Sequence, residues 1–310
     1  MPPSYPNTPK SPATGPAKRT SAADQTAWRR PAGVSLGTWR YAHEGSIASR
    51  YNEFVAGTPL CRLDLDLLAE VFPVLSDRPR HQDAEDSLSE KTEPPRQQTA
   101  EKPAEKKNDR SPKWVLDLGC GTGRASELLA ASGYHVFAID LSLPMLRQVE
   151  ARGLPAVIPI QANLVELDVF AENIADGAVC LFSTLGMIQG RDNRRRFLAH
   201  VRRIVRPTGS FYLHVHHRYG AIASLPGWKQ LAGSAISSLT RRDREFGDAV
   251  YAYRGLPDMF LHQFSRRELL ADFEATGWHV ARWERLSLDG AQMLGPGARK
   301  IAGGFLVVLQ

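Results

Sequence analysis

The chain is poor in several features that would settle its class at once. It has three cysteines in 310 residues, Cys61, Cys120 and Cys180, an odd number at wide spacing and in no C-x-x-C pair, which excludes a disulfide-stapled domain or a zinc knuckle. A reducing, cytoplasmic setting is the expectation. No stretch approaches the ~18 consecutive apolar residues of a spanning helix, and Met1-Pro2-Pro3-Ser4-Tyr5-Pro6 lacks the apolar core of a secretion signal. No membrane partner is expected. The phosphate loop G-x-x-x-x-G-K-[ST] is missing and no internal repeat is found. What is present, 43% hydrophobic residues, suffices for one sizeable core.

The net charge of +6 raises the question of nucleic acid, and its distribution gives a partial answer. Residues 1–35 hold five basic residues against one acidic, so much of the excess lies in a Pro/Ser/Thr/Ala-rich stretch with few large apolar residues. Residues 1–35 are expected to be a disordered tail. In 36–75, Trp39, Tyr41, Ile47, Tyr51, Phe54 and Val55, then Leu63, Leu65, Leu67, Leu68, Val71 and Phe72, recur near helical spacing and predict a helical amino-terminal cap of two short helices. Ser76 to Pro112 carries nine acidic and eight basic residues, five prolines and a single large aliphatic, Leu88, the composition of a charged disordered linker.

From residue 113 to 310 the pattern changes again. Short apolar runs at Trp114-Leu118, His135-Ile139, Ala156-Ile160, Ala178-Phe182 and Phe211-Val215 alternate with helical patterns at Ala125-Ser132, Ser142-Arg152 and Arg194-Val205. This predicts an α/β fold, a doubly wound and mostly parallel sheet of seven strands with helices on both faces. Pro159 lies inside the third run and cannot donate to a ladder. A helix at Ser265-Thr276 and strands at Val280-Leu286 and Gly304-Leu309 complete the expectation, and residues 218–264 read as an insertion whose hairpin, turning at Gly255 to Asp258, forms a lid.

Val115-Leu116-Asp117-Leu118 runs into Gly119-Cys120-Gly121-Thr122-Gly123 and then a helix. The third glycine of a dinucleotide loop would fall at Arg124, so a pyrophosphate is disfavoured. Twenty-one residues after Gly119, Asp140 ends the second strand, where a carboxylate can accept from two ribose hydroxyls. An adenosine-containing ligand follows. Together with Leu-Ser-Leu-Pro-Met-Leu after Asp140 and Arg202-Arg203-Ile204-Val205-Arg206-Pro207-Thr208-Gly209-Ser210, these motifs resemble the class I S-adenosylmethionine-dependent methyltransferases of the ubiquinone/menaquinone-biosynthesis-like, small-molecule type, over roughly Trp114 to Leu309.

The resemblance implies a Rossmann-like fold and S-adenosylmethionine as cofactor. It places Gly119, Cys120 and Gly121 along the methionine part, Asp117 beneath it, Asp140 on the ribose and Asn163 near the adenine amine, with Leu141, Leu164 and Ser183 completing the set. A small-molecule acceptor would be met by residues beyond the strand ends. His216 and His217 are candidates for binding or proton removal, and Tyr253 and His262 of the hairpin are candidates for specificity. His214 and His216 share one strand face. No carboxylate or cysteine accompanies these histidines at a ligand spacing, so no metal is expected. The arginines between Arg191 and Arg206 read as a mostly solvated helix with few interleaved aromatics, which leaves RNA as a weaker partner; His262-Gln263-Phe264 with Glu268-Leu269 distantly resembles tRNA wobble-uridine methyltransferases. A catalytically silent cofactor-binding scaffold is the alternative outside enzymes. The sequence leaves the oligomeric state open.

Overall fold

A computed structural model describes residues 29–75 and 111–310. The expected tail up to residue 28 and most of the expected linker, 76–110, lie outside the described residues. Five runs form the parallel strands β1 (Trp114–Leu118), β2 (His135–Asp140), β3 (Val157–Gln161), β4 (Ala175–Cys180) and β5 (Val205–His216). They are joined through α4 (Arg124–Ala131), α5 (Leu143–Glu150), the single turn α6 (Thr184–Met187) and α7 (Arg191–Ile204). The chain then turns antiparallel: β8 (Val280–Leu286) and β10 (Gly304–Leu309) follow α9 (Arg266–Ala275), and β10 pairs with both β5 and β8. The sheet order is β3-β2-β1-β4-β5-β10-β8-β9. Seven strands match the expected doubly wound sheet, and the two-residue β9 (Met293–Leu294) extends its edge to eight. Pro159 is accommodated because β3 is the other edge strand.

Period-two alternation sorts the core into two layers. Leu116, Leu118, Phe211 and Leu213 face Phe197, Leu198 and Val201 of α7 on one side; Val115, Val136 and Tyr212 face the other. The amino-terminal segment supplies three helices, not two: α1 (Leu36–His43), α2 (Gly45–Ala56) and α3 (Leu60–Val71). Leu67 and Leu68 of α3, with Phe72, join the second core layer. A Cβ on Gly177 of β4 would lie 2.4 Å from the Phe72 ring, so the glycine is what lets Phe72 lie flat on the sheet. α3 is therefore a full member of the sheet's second layer, and only α1 and α2 stand over the strand ends.

The 218–264 segment holds more structure than the hairpin expected there. A 3-10 turn, Arg218–Ala223, leads into the sixteen-residue α8 (Leu225–Thr240), which precedes β6 (Asp248–Tyr253) and β7 (Leu256–His262). The hairpin turn is Arg254-Gly255, both at positive φ, a two-residue loop tighter than the expected Gly255–Asp258. The hairpin rests on α1: Arg40 donates to Asp258 at 2.6 Å, and a Cβ on Gly37 would strike the Asp258 carbonyl oxygen.

Candidate active site

The site grows from two loops at the carboxyl ends of β1 and β2. Gly119 and Gly123 have φ of +74° and +82°, conformations side-chain-bearing residues adopt only with strain. At Gly119 a Cβ would also lie 2.3 Å from the Thr184 methyl group. The backbone N–H groups of Gly119 and Cys120 donate to the Ile139 carbonyl, which brings the loop against β2. There Asp140 bridges both loops, Oδ2 accepting from Gly121 N at 2.9 Å and Oδ1 from Ser142 N at 2.8 Å. Burial raises its pKa and the backbone N–H groups pull it back down. Each oxygen keeps a further lone pair for a ligand hydroxyl.

A cavity opens beside this bridge. Of the nine positions expected to meet the cofactor, Asp117, Gly119, Cys120, Gly121, Asp140, Leu141, Asn163 and Leu164 line it. Ser183 does not: it is fully buried at φ +61°, and its Oγ accepts from His216 N. Its neighbours Phe182 and Thr184 take the lining place. Asn163 caps Val165 N with its amide oxygen and donates to the Ala32 carbonyl, which leaves one lone pair on that oxygen. Beneath the loop Asp117 accepts from Ser126 Oγ at 2.6 Å, and burial lifts its pKa to about 6.

The roof comes from residues far away in sequence. Val34, Thr38, Tyr41 and Tyr51 line the cavity, and polar tethers hold their helices to the loops: Thr122 Oγ1 donates to Asn52, Ser142 Oγ to the Ala42 carbonyl, and Arg124 to both oxygens of Asp64 at 2.8 Å. Asp64 is fully buried, and the same guanidinium lies 4.9 Å from the Phe182 ring centroid. Arg124 is the one cation among the lining residues and is already neutralised by Asp64. Burial, followed by the neighbouring tyrosines, raises the phenol pKa of Tyr41, and burial raises that of Tyr51, so both remain neutral donors. Two carboxylates, neutral aromatics and no unpaired cation suit a ligand with ribose hydroxyls, an ammonium and a sulfonium. The residues present fit S-adenosylmethionine.

None of the four residues expected to act on an acceptor lines the cavity. Tyr253 comes nearest, its ring 6.2 Å from that of Tyr41. His216 and His214 do share a face, their rings 5.2 Å apart with the His214 ring edge-on to Phe182 at 6.4 Å, and neither Nδ1 has a partner among the described residues; burial lowers the His216 pKa to about 4. His217 has its Nδ1 against the Ala302 carbonyl and its ring on Phe305.

His262 is the clearest departure from expectation. It is fully buried, with Nδ1 at 2.7 Å from Asp248 and Nε2 at 2.8 Å from Glu268. Both nitrogens are engaged, so no acceptor can be held by this ring. Around it Arg218 pairs with Glu268 and Arg194 with Glu245. Glu245, His262 and Glu268 could converge on a metal ion, but the two guanidinium groups already supply the cationic charge. Phe182 and Ser183, at φ +51° and +61°, are consecutive non-glycine residues in the left-handed region, and such strain concentrates at functional sites. Tyr51, Arg124, Phe182 and Thr184 were beyond sequence reasoning as cofactor neighbours; the aromatic residues on the amino-terminal helices were the one visible signal.

Known proteins share this architecture. Residues 115–209 match the methyltransferase domain family. The chain is 32% identical over 155 residues to a malonyl-[acyl-carrier protein] O-methyltransferase of Pseudescherichia vulneris, covering 48% of this chain and 57% of that protein. It is 26% identical over 186 residues to a demethylmenaquinone methyltransferase of Corynebacterium urealyticum, covering 56% and 70%. The chain thus spans little more than half the length of the first of these relatives. Among solved structures, a Methanosarcina mazei S-adenosylmethionine-dependent methyltransferase superposes with a TM-score of 0.52 at 22% identity, over 64% of this chain and 92% of the other. The CcbJ methyltransferase of Streptomyces caelestis gives 0.53 at 17%, over 85% and 95%. With the glycine loop, the Asp140 bridge and this sheet order, residues 115–209 carry a methyltransferase domain, and the chain has the fold of S-adenosylmethionine-dependent methyltransferases.

Proposed function

We propose that the protein transfers a methyl group from S-adenosylmethionine to a neutral small-molecule acceptor held beneath α1 and α2. The observation that carries this reading is the Asp140 bridge: one carboxylate joins both cofactor loops and lines a cavity with seven other expected cofactor positions. The cofactor brings an activated methyl group on a good leaving group. The chain's residues orient the acceptor and exclude water. Asp140 accepts from the ribose hydroxyls, Asp117 lies under the cationic end, and Asn163 offers its remaining lone pair to the adenine amine. Tyr41, Tyr51 and Tyr253 form the acceptor wall, with the His214 imidazole behind Phe182 and that of His216 beyond it. An acidic acceptor has less support, because Arg124 is committed to Asp64.

The RNA alternative draws less support from α7. Of its arginines, Arg194 is fully buried, the half-exposed Arg191 and Arg195 share Asp272, Arg203 donates to the Leu167 and Phe170 carbonyls, and Arg196 stays exposed. Three buried, unpaired thiols suit a reducing compartment. Calorimetry with S-adenosylmethionine, followed by methyl-label transfer across neutral and acidic small molecules and bulk tRNA, tests the reading. Binding with transfer to a neutral acceptor is expected; binding without transfer to any acceptor would leave the silent scaffold, and labelled tRNA would reinstate the RNA enzyme.

A further inference from the structure

α8 carries a surface that the site does not use. Ser224 caps the helix by accepting from Gly227 N, and Gly227 lies so close to the preceding turn that a Cβ would meet the Ala221 carbonyl oxygen at 2.0 Å. Leu231 and Ser234 are also buried, and Ser234 Oγ accepts from Gly247 N. The helix is thus fixed in rotation. At 100° per residue, Leu225, Trp228, Ala232, Ala235, Ile236 and Leu239 fall on one stripe about 100° wide, and the large ones face solvent: Leu225 is 79% exposed, Trp228 55%, Ile236 63% and Leu239 87%. Single exposed apolar residues are ordinary, but a stripe running the length of a helix marks a contact surface.

Charge decides what it contacts. α8 contains Lys229 and no acidic residue, and the chain continues as Arg241-Arg242-Asp243-Arg244. Lys229, Arg242 and Arg244 have no ion-pair partner among the described residues. A second copy would pair the stripe with itself, setting the arginines either against one another or against the uncharged Leu225 end, with no carboxylate on the facing helix. Anionic headgroups provide what is missing. Apolar side chains including a Trp, with basic residues alongside, form the pattern of a helix lying in a membrane interface.

We propose that α8 is an interfacial helix that docks the protein on an anionic lipid surface, its Leu225–Leu239 stripe among the acyl chains and Lys229, Arg241, Arg242 and Arg244 among the headgroups. This sets aside the expectation of no membrane partner, which rested on spanning runs alone; among the described residues no helix is long and apolar enough to cross a membrane, and an interfacial helix does not cross it. The proposal is independent of methyl transfer.

The test is co-sedimentation of the full chain with phosphatidylcholine vesicles, with and without phosphatidylglycerol. Retention is expected on the anionic vesicles, falling with added salt. Leu225→Ser/Ile236→Ser/Leu239→Ser, all at exposed positions, should abolish it without lowering the melting temperature, and Arg241→Gln/Arg242→Gln should weaken it about tenfold. No retention of the wild type, or equal retention of the triple variant, would overturn the proposal. So would a wild-type dimer in sedimentation velocity that the triple variant converts to monomer, which would give the stripe to a second copy.

Discussion

Two of the buried charge clusters among the described residues differ in what they leave unsatisfied. Around His262, three carboxylates (Glu245, Asp248, Glu268) meet Arg194, Arg218 and the imidazole, so every carboxylate has a guanidinium or imidazole partner within the cluster. Around the glycine loop, Asp140 and Asp117 are held by backbone N–H groups and one serine hydroxyl, with no cation on either carboxylate. The first cluster closes on itself and fastens α7, α9 and the hairpin. The second faces a cavity with carboxylate lone pairs still open, which is the condition for binding a cationic, hydroxyl-bearing ligand. Neighbouring charge alone does not distinguish a site from a brace; unmatched charge at a cavity does.

Breaking the closed cluster should give the largest effect, and on stability. Arg194→Met removes the fully buried guanidinium and leaves the part-exposed Glu245 without its counter-charge, while Glu268 keeps Arg218. Unfolding in urea should therefore show a loss of about 3 kcal/mol, while the protein that remains folded binds S-adenosylmethionine normally. Weakened cofactor affinity at unchanged stability would reverse the assignment of the two clusters.

The open cluster should respond in the opposite sense. Asp140→Ala is expected to weaken S-adenosylmethionine binding by about 1.5–3 kcal/mol with little change in the urea midpoint. Asp117 adds a pH dependence. Its folded pKa, about 6, lies above the unfolded value near 4, so the folded state binds more protons between these limits and stability falls as pH rises from about 4 to 6, by on the order of 2 kcal/mol. Asp117→Asn should flatten that slope in urea titrations, whereas S-adenosylmethionine affinity in the wild type should rise over the same interval as the carboxylate ionises. A wild-type stability that climbs from pH 4 to 6 in step with the variant's would refute the raised pKa.

The smallest expected change is at the cavity's edge. Tyr253→Phe keeps its ring against Tyr41, so S-adenosylmethionine affinity should move by less than about 0.5 kcal/mol, within the worth of a weak hydrogen bond. Turnover of an identified acceptor should fall. Unchanged turnover would move acceptor recognition to Tyr41, Tyr51 and Phe182.

How far the sequence carried depends on whether a residue's role is local. β1, β2 and the loop between Gly119 and Gly123 were legible because a short buried run, glycines and a strand-end carboxylate carry their meaning within about twenty-five residues. α8 was not: its apolar positions divide between the buried Leu231 and the exposed stripe, and Pro226, Gly227, Gly233 and three serines blur the period. His262 misled because a histidine at the end of a strand looks the same whether its partners are carboxylates of its own chain or a ligand. The roof tyrosines were visible as aromatic residues on helices, but their place over Gly121 depends on the Asp64–Arg124 and Asn52–Thr122 contacts, which join segments sixty to seventy residues apart.

The packing of α3 has a consequence for how the chain is made. Leu67, Leu68 and Phe72 find their cover on β4, β5 and α4, yet they leave the ribosome before β1 has been synthesised. Until β4 and β5 emerge, α3 is an amphipathic helix with nothing to cover it, and Asp64 has no guanidinium. The stretch that matches the methyltransferase domain, residues 115–209, is in turn short of the layer that α3 supplies. Each piece covers apolar surface of the other, so completing this layer requires a late, long-range docking, and the nascent chain exposes that surface to aggregation and to chaperone capture in the interval between them.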